Sequence, residues 1–136
     1  MHRPEITPAA AETVQALRAG GLALGVISNT GRTPGWVLRR LLDDAGLLSC
    51  FDVLAFSDEM GTRKPAAEIF RRVLDEAGVI PTRAVHVGDD PVTDVAGARG
   101  VGMRAIHYVP GGDAAALADA VLRRFADLPR VVAQLA

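Results

Sequence analysis

The chain has 136 residues, with 15 basic and 16 acidic side chains and a formal net charge of -1. That balance supplies no electrostatic reason to expect nucleic acid, and the length suits one domain, residues 1–136, rather than two. Hydrophobic residues make up 49% of the chain but aromatics only 4%, so the core must be built from aliphatic side chains. Cys50 is the only cysteine, which rules out an intrachain disulfide and a cysteine-rich zinc site and suggests a reducing compartment. A small buried apolar role is expected for it, since nothing nearby in the sequence would lower its pKa.

Helical and strand-like segments alternate along the sequence. "TPAAAETVQALRAGG" reads as a helix with Thr7 as N-cap, Pro8 at the first helical position and Gly20-Gly21 at its end. "LALGVIS" follows as an apolar strand without alternation, as expected when both faces are covered. The apolar run "GGLALGVIS" begins too late for a secretory signal and falls far below the ~20 residues that span a bilayer. A soluble, cytoplasmic protein with no membrane partner is the expectation.

"TPGWVLRRLLDDAG" repeats the Thr-Pro start and sets Val37, Leu38, Leu41, Leu42 and Ala45 on one helical stripe. "FDVLAFS" is a second strand, and "AAEIFRRVLDEAG" a helix with Ile69, Phe70, Val73, Leu74 and Ala77 turned inward. "RAVHVG" reads as a third strand, "PVTDVAGARG" as a short helix and "GMRAIHY" as a fourth strand. "VPGGD" is a turn, "DAAALADAVLRRFA" a helix capped by Asp113, and "LPRVVAQLA" a last helical turn or two. The pairs Arg39-Arg40, Arg71-Arg72 and Arg123-Arg124 are read as solvated helix faces.

Strands that alternate with helices predict an α/β fold, a parallel sheet with helices on both faces. Ligands of such sheets sit beyond the carboxyl ends of the strands, and three of those ends carry unusual polar residues. In "ISNTGRTPG", Ser28, Asn29 and Thr30 offer hydroxyls and backbone N–H groups suited to an oxyanion or phosphate. In "GTRKPAAEIF", Lys64 precedes Pro65 in a loop, where it can neutralise a phosphoryl group. In "HVGDDPVTDVAGARG", Asp89 follows a strand, Asp90 precedes Pro91 as an N-cap does, and Asp94 lies on the first turn, able to lean back toward Asp89. Two converging carboxylates call for a cation, and oxygen-only ligation suits Mg²⁺.

The succession "ISNT", "RKPAAEIF" and "VGDDPVTDVAGARGVGM" resembles motifs two, three and four of the haloacid dehalogenase-like (HAD) superfamily, in order and spacing. The resemblance covers essentially the whole chain from near Thr7 and implies a Rossmann-like three-layer α/β/α core. It further implies that Ser28 and Lys64 act on the transferring phosphoryl group, that Asp89 ligates Mg²⁺, and that Asp94 is a second or supporting ligand. Arg32, just beyond the second motif, is read as a solvated arginine, with contact to substrate as the alternative.

The family's first motif, Asp-x-Asp at the end of a central strand, supplies a nucleophile and an acid/base. No Asp-x-Asp occurs in this sequence. Ahead of the first helix stands only "MHRPEI", without room for a buried strand and a cap domain. The resemblance places the missing strand between "LALGVIS" and "RAVHVG", so these two are expected to pair directly or to be covered by a homodimer or a partner chain.

Three functions follow as expectations. One is a capless, Mg²⁺-dependent phosphohydrolase acting on a phosphorylated small molecule or phosphoprotein, with Glu5, Asp58 and Glu59 as candidate bases. A second is a non-catalytic domain that binds Mg²⁺ and phosphate, or a protein. The third is one part of a two-chain phosphatase whose partner contributes Asp-x-Asp.

Overall fold

A computed structural model describes residues 8–136, so the expected cap Thr7 and the candidate base Glu5 lie outside the described residues. The elements run α1 (Pro8–Ala19), β1 (Gly25–Ser28), α2 (Gly35–Asp44), β2 (Val53–Phe56), α3 (Ser57–Met60), α4 (Ala67–Ala77) and β3 (Val85–Gly88). There follow a π-helical turn at Pro91–Ala96, then α5 (Gly97–Gly100), β4 (Arg104–Tyr108), β5 (Ala120–Leu122) and α6 (Leu128–Leu135). All described strand pairs are parallel; helices cross over between β1 and β2 and between β3 and β4, while β4 reaches β5 through the irregular segment 109–119.

The sheet is divided. Among the described residues β1 pairs only with β2, and β3, β4 and β5 form a separate ladder in that order. The expected direct pairing of β1 with β3 is therefore absent among the described residues. Two apolar cores cover opposite faces, which makes the three-layer sandwich. One gathers Ala55, Ile69, Phe70, Leu74, Val95, Ala98, Met103 and Ala105 beneath α4 and α5. The other packs Leu17 of α1 and Leu128 and Val131 of α6 on Ile106 and Leu122.

α4 shows how the pattern becomes packing. Ile69, Phe70 and Leu74 recur at helical spacing and are buried. Each such side chain stabilises the fold by roughly 1.5–3 kcal/mol relative to exposure. Gly97 lets this happen, because a Cβ there would press on the Phe70 ring at 2.9 Å. α2 is less deeply seated: Val37, Leu38, Leu41 and Leu42 are only half-buried.

Three local expectations are corrected. The helix foreseen over residues 113–126 does not form; its middle becomes β5, which pairs with β4 through Ile106–Ala120, His107–Val121 and Tyr108–Leu122. Asp119 makes the switch: its backbone N–H donates to the Ala105 carbonyl at 2.8 Å, and its Oδ2 accepts from the Ala105 N–H at 2.8 Å. An open edge on β4 and a buried slot for Leu122 outweigh the helix propensity of an alanine-rich run. Cys50 is half-buried rather than in the core. Arg39 is not a solvated bystander, since it pairs with Glu59 at 2.6 Å and lies 5.1 Å over the Phe56 ring. Among the described residues no helix is long and apolar enough to cross a membrane.

Candidate functional site

β1 and β3 end side by side in sequence logic but not in a ladder, and a polar web joins their ends. Asn29, one residue past β1, grips the backbone of Lys64: its Oδ1 accepts from the Lys64 N–H at 2.9 Å and its Nδ2 donates to the Lys64 carbonyl at 3.0 Å. The Lys64 Nζ then reaches Asp94 Oδ1 at 2.6 Å, with the two side chains 12% and 5% exposed. Asp94 Oδ2 in turn accepts from the Asp90 N–H at 3.1 Å, just beyond β3. Side chain and backbone thus connect the two half-sheets across their unpaired gap.

Asp94 is the hub of that web. Burial opposes its ionisation, but His86, the Lys64 ammonium and the Asp90 N–H together hold its carboxyl well below the usual carboxylate range. His86 Nε2 lies 2.9 Å from Asp94 Oδ1, and with the carboxylate ionised this nitrogen is the donor. The imidazole is fixed edge-on to Phe70, ring centroids 5.2 Å apart. Gly88 makes room: a Cβ at that position would overlap the Asp94 carboxylate.

Asp89 is exposed, and its carboxylate has no protein partner among the described residues. Its backbone is held from below by His107 of β4. The Ala115 N–H donates to His107 Nδ1 at 2.9 Å, which puts the proton on Nε2, and that nitrogen donates to the Asp89 carbonyl at 2.9 Å. Asp90 is the expected cap: its Oδ1 accepts from the N–H groups of Val92 and Thr93, both at 2.8 Å. The cap and Pro91 start a π-helical turn, a shape often found at functional sites.

The four phosphate candidates separate into two kinds. Ser28 is half-buried with a hydroxyl that has no partner among the described residues, and Lys64 keeps donor capacity beyond its one bond to Asp94. Asn29 spends its amide on Lys64, and Thr30 spends its side chain on α3, bonding Ser57 Oγ at 2.9 Å and Asp58 Oδ1 at 3.0 Å. The candidate bases are also engaged. Asp58 Oδ2 caps α2 by accepting from the Gly35 N–H at 3.0 Å, and Glu59 holds Arg39. The Thr-Pro start of α2 consequently has no capping side chain of its own.

Among the described residues no three His, Cys, Asp or Glu side chains cluster in a way that holds a metal. Mg²⁺ asks for less, one or two carboxylates completed by water and phosphate oxygens. Asp89, unpartnered and at the strand end, fits that description; Asp94 Oδ1 is already bonded to Lys64 and His86. His86 and His107 are the site residues that sequence reasoning passed over. Their signal was a single imidazole in each of the apolar strands "RAVHVG" and "GMRAIHY".

The arrangement has known counterparts. The chain matches the family described as haloacid dehalogenase-like hydrolase over residues 2–102. It is 38% identical over 109 residues to the haloacid dehalogenase-like hydrolase domain-containing protein 3 of Xenopus laevis, covering 80% of this chain and 43% of that protein. It is 38% identical over 104 residues to a phosphoserine phosphatase of Thermus thermophilus, covering 76% of this chain and 41% of the relative. The HAD phosphatase from Thermococcus onnurineus superposes with a TM-score of 0.82 at 33% identity, over 93% of this chain and 58% of that one. The chain thus spans less than half the length of both of these curated relatives. Motif order, parallel three-layer fold and these matches agree, and the chain belongs to the haloacid dehalogenase-like hydrolase family.

Proposed function

We propose that the ends of β1 and β3 form a Mg²⁺-dependent phosphohydrolase site. The observation that carries this reading is the web Asn29–Lys64–Asp94–Asp90, which leaves three groups uncommitted around it: the Ser28 hydroxyl, the outer N–H bonds of Lys64 and the Asp89 carboxylate. The phosphatase named among the relatives supports phosphate esters as the substrate class.

In this reading the Ser28 hydroxyl donates to a phosphoryl oxygen, while Lys64 offsets the negative charge that builds on it. Asn29 and Asp94 hold the lysine in place, one by its backbone and one by its ammonium. Asp89 holds Mg²⁺, which supplies Lewis-acid polarisation of the ester. His107 fixes the backbone from which Asp89 projects. The candidate bases Asp58 and Glu59 are both engaged elsewhere, one on the Gly35 N–H and the other on Arg39. The divided sheet favours a second reading, in which the attacking group lies outside these 136 residues, on a further segment or on another polypeptide.

The test is hydrolysis of a generic aryl phosphate with and without Mg²⁺, comparing the purified chain with Asp89→Asn. Metal-dependent turnover that falls about a hundredfold or more in the variant supports the stand-alone site. Turnover unchanged by the substitution places the reaction elsewhere. No turnover in either protein removes the stand-alone reading and leaves the two-chain and binding readings.

A further inference from the structure

We propose that His86 is a positioning residue, whose ring aims the Lys64 ammonium through the carboxylate that the two share. Its consequence for phosphate rests on the reading of Ser28, Lys64 and Asp89 given above; the placing of the lysine does not.

Both side chains bond one oxygen. Lys64 Nζ lies 2.6 Å and His86 Nε2 2.9 Å from Asp94 Oδ1, while Oδ2 accepts from the Asp90 N–H. A carboxylate oxygen has two lone-pair directions, so two donors fill Oδ1. With His86 in one direction, the ammonium is confined to the other. Asp94 does not need the imidazole to be satisfied, because Lys64 and the Asp90 N–H already serve one oxygen each. What the imidazole adds is direction, and it keeps water from competing for Oδ1.

The ring is itself held. His86 sits on β3 in register with Ala105 of β4, and it meets the Phe70 ring edge-on, centroids 5.2 Å apart. Phe70 is fully buried on α4, the helix that follows the Lys64-Pro65 loop. Gly97 lets ring and loop close together, since a Cβ there would lie 2.9 Å from the Phe70 ring and 3.3 Å from the Pro65 Cα. The clamp on the imidazole and the backbone beside the lysine are thus braced at one point. A ring locked in this way aims its N–H at little further entropic cost.

Lys64 is the only lysine among 15 basic residues. An arginine fork would engage both Asp94 oxygens in one plane, whereas an ammonium meets one oxygen and keeps two N–H bonds for another partner. Those two bonds move with Nζ. A misplacement of about 1 Å can cost a hundredfold where a reaction depends on such a contact.

The single lysine makes the test direct. Protein grown with isotopically labelled lysine gives one side-chain ammonium signal, whose exchange with water NMR can follow. Three substitutions separate aim from packing. His86→Gln places an amide N–H near the Nε2 position, His86→Asn falls short of it, and His86→Phe keeps a ring against Phe70 without a donor. Exchange in the glutamine variant should stay within about threefold of the parent protein, and in the other two it should quicken about tenfold, the worth of one charge-assisted hydrogen bond. Urea unfolding checks that each variant folds, and with two variants lacking the bond, one that fails leaves the other to decide. A phenylalanine variant that matches the parent while the glutamine variant does not would show that the ring only packs, and would overturn the proposal. Equal exchange in all four proteins would overturn it too.

Affinity for inorganic phosphate in the presence of Mg²⁺, measured on the same samples, should weaken about tenfold where the ammonium is loosened and recover in the glutamine variant. Phosphate affinity that ignores a loosened ammonium would overturn the link between His86 and the site. Absence of phosphate binding in the parent protein would remove the phosphate reading itself, while the exchange rates still decide whether His86 places Lys64.

Discussion

The Lys64–Asp94 pair permits a quantitative test of how the site is held. At 2.6 Å and an effective dielectric of about 20, the two charges attract by roughly 6 kcal/mol before desolvation is subtracted. Much of that attraction offsets the cost of burying both groups, so the net value of the intact pair is small. Removing one partner is different, because the other charge stays behind with little water. Either Lys64→Met or Asp94→Asn should therefore cost about 3–5 kcal/mol. For a domain of this size that corresponds to a fall in Tm of about 10–15 °C. The double variant should cost clearly less than the sum, with a coupling of about 2 kcal/mol or more. Urea unfolding followed by circular dichroism, in EDTA so that no added cation replaces the lysine, gives all four corners of the cycle. Single costs that add within about 0.5 kcal/mol would show that the pair does not share a buried environment, and the reasoning would fail.

Acid titration tests the same carboxylate. Its folded pKa is depressed below the ordinary value near 3.8, so its contribution is complete above about pH 4 and is lost as pH falls through the folded pKa. Asp94→Asn should flatten that acid arm of the stability profile, and an unchanged arm would assign it to other groups. Gly88→Ala should cost about 1–3 kcal/mol, because the new methyl occupies the space of the Asp94 carboxylate; a neutral result in urea would mean that Asp94 can withdraw. His107→Leu strips partners from the Asp89 carbonyl and the Ala115 N–H, at about 1–3 kcal/mol for each group left unsatisfied. The urea midpoint should fall accordingly, with the amide shifts of Asp89 and Asp90 displaced in NMR spectra.

Much of this was legible in the chain itself where the interactions are short-range. Four of the strands, α1, α2 and α4 followed from apolar runs and helical spacing. The Asp90-Pro91 cap followed from local chemistry, since an N-cap needs only the next three residues. The three site segments were visible because a parallel sheet gathers its strand ends on one side, whatever the loops contain.

Contacts between distant residues were not legible. Thr-Pro announced the start of α2, but the capping oxygen came from Asp58, 23 residues away. Nothing local announced that Lys64 engages the Asn29 amide or that α3 engages the Thr30 hydroxyl. The run at 113–126 is a good helix by propensity, and only the unpaired edge of β4 draws its middle into a strand. The sequence by itself determined which segments are apolar, where they stop, and that no Asp-x-Asp follows any of them. The tertiary structure alone decided that β1 and β3 remain apart and that Asp94 joins them through Lys64. Local pattern settles what a segment tends to become, whereas a strand's partners and a carboxylate's counter-charges depend on which surfaces folding leaves unpaired.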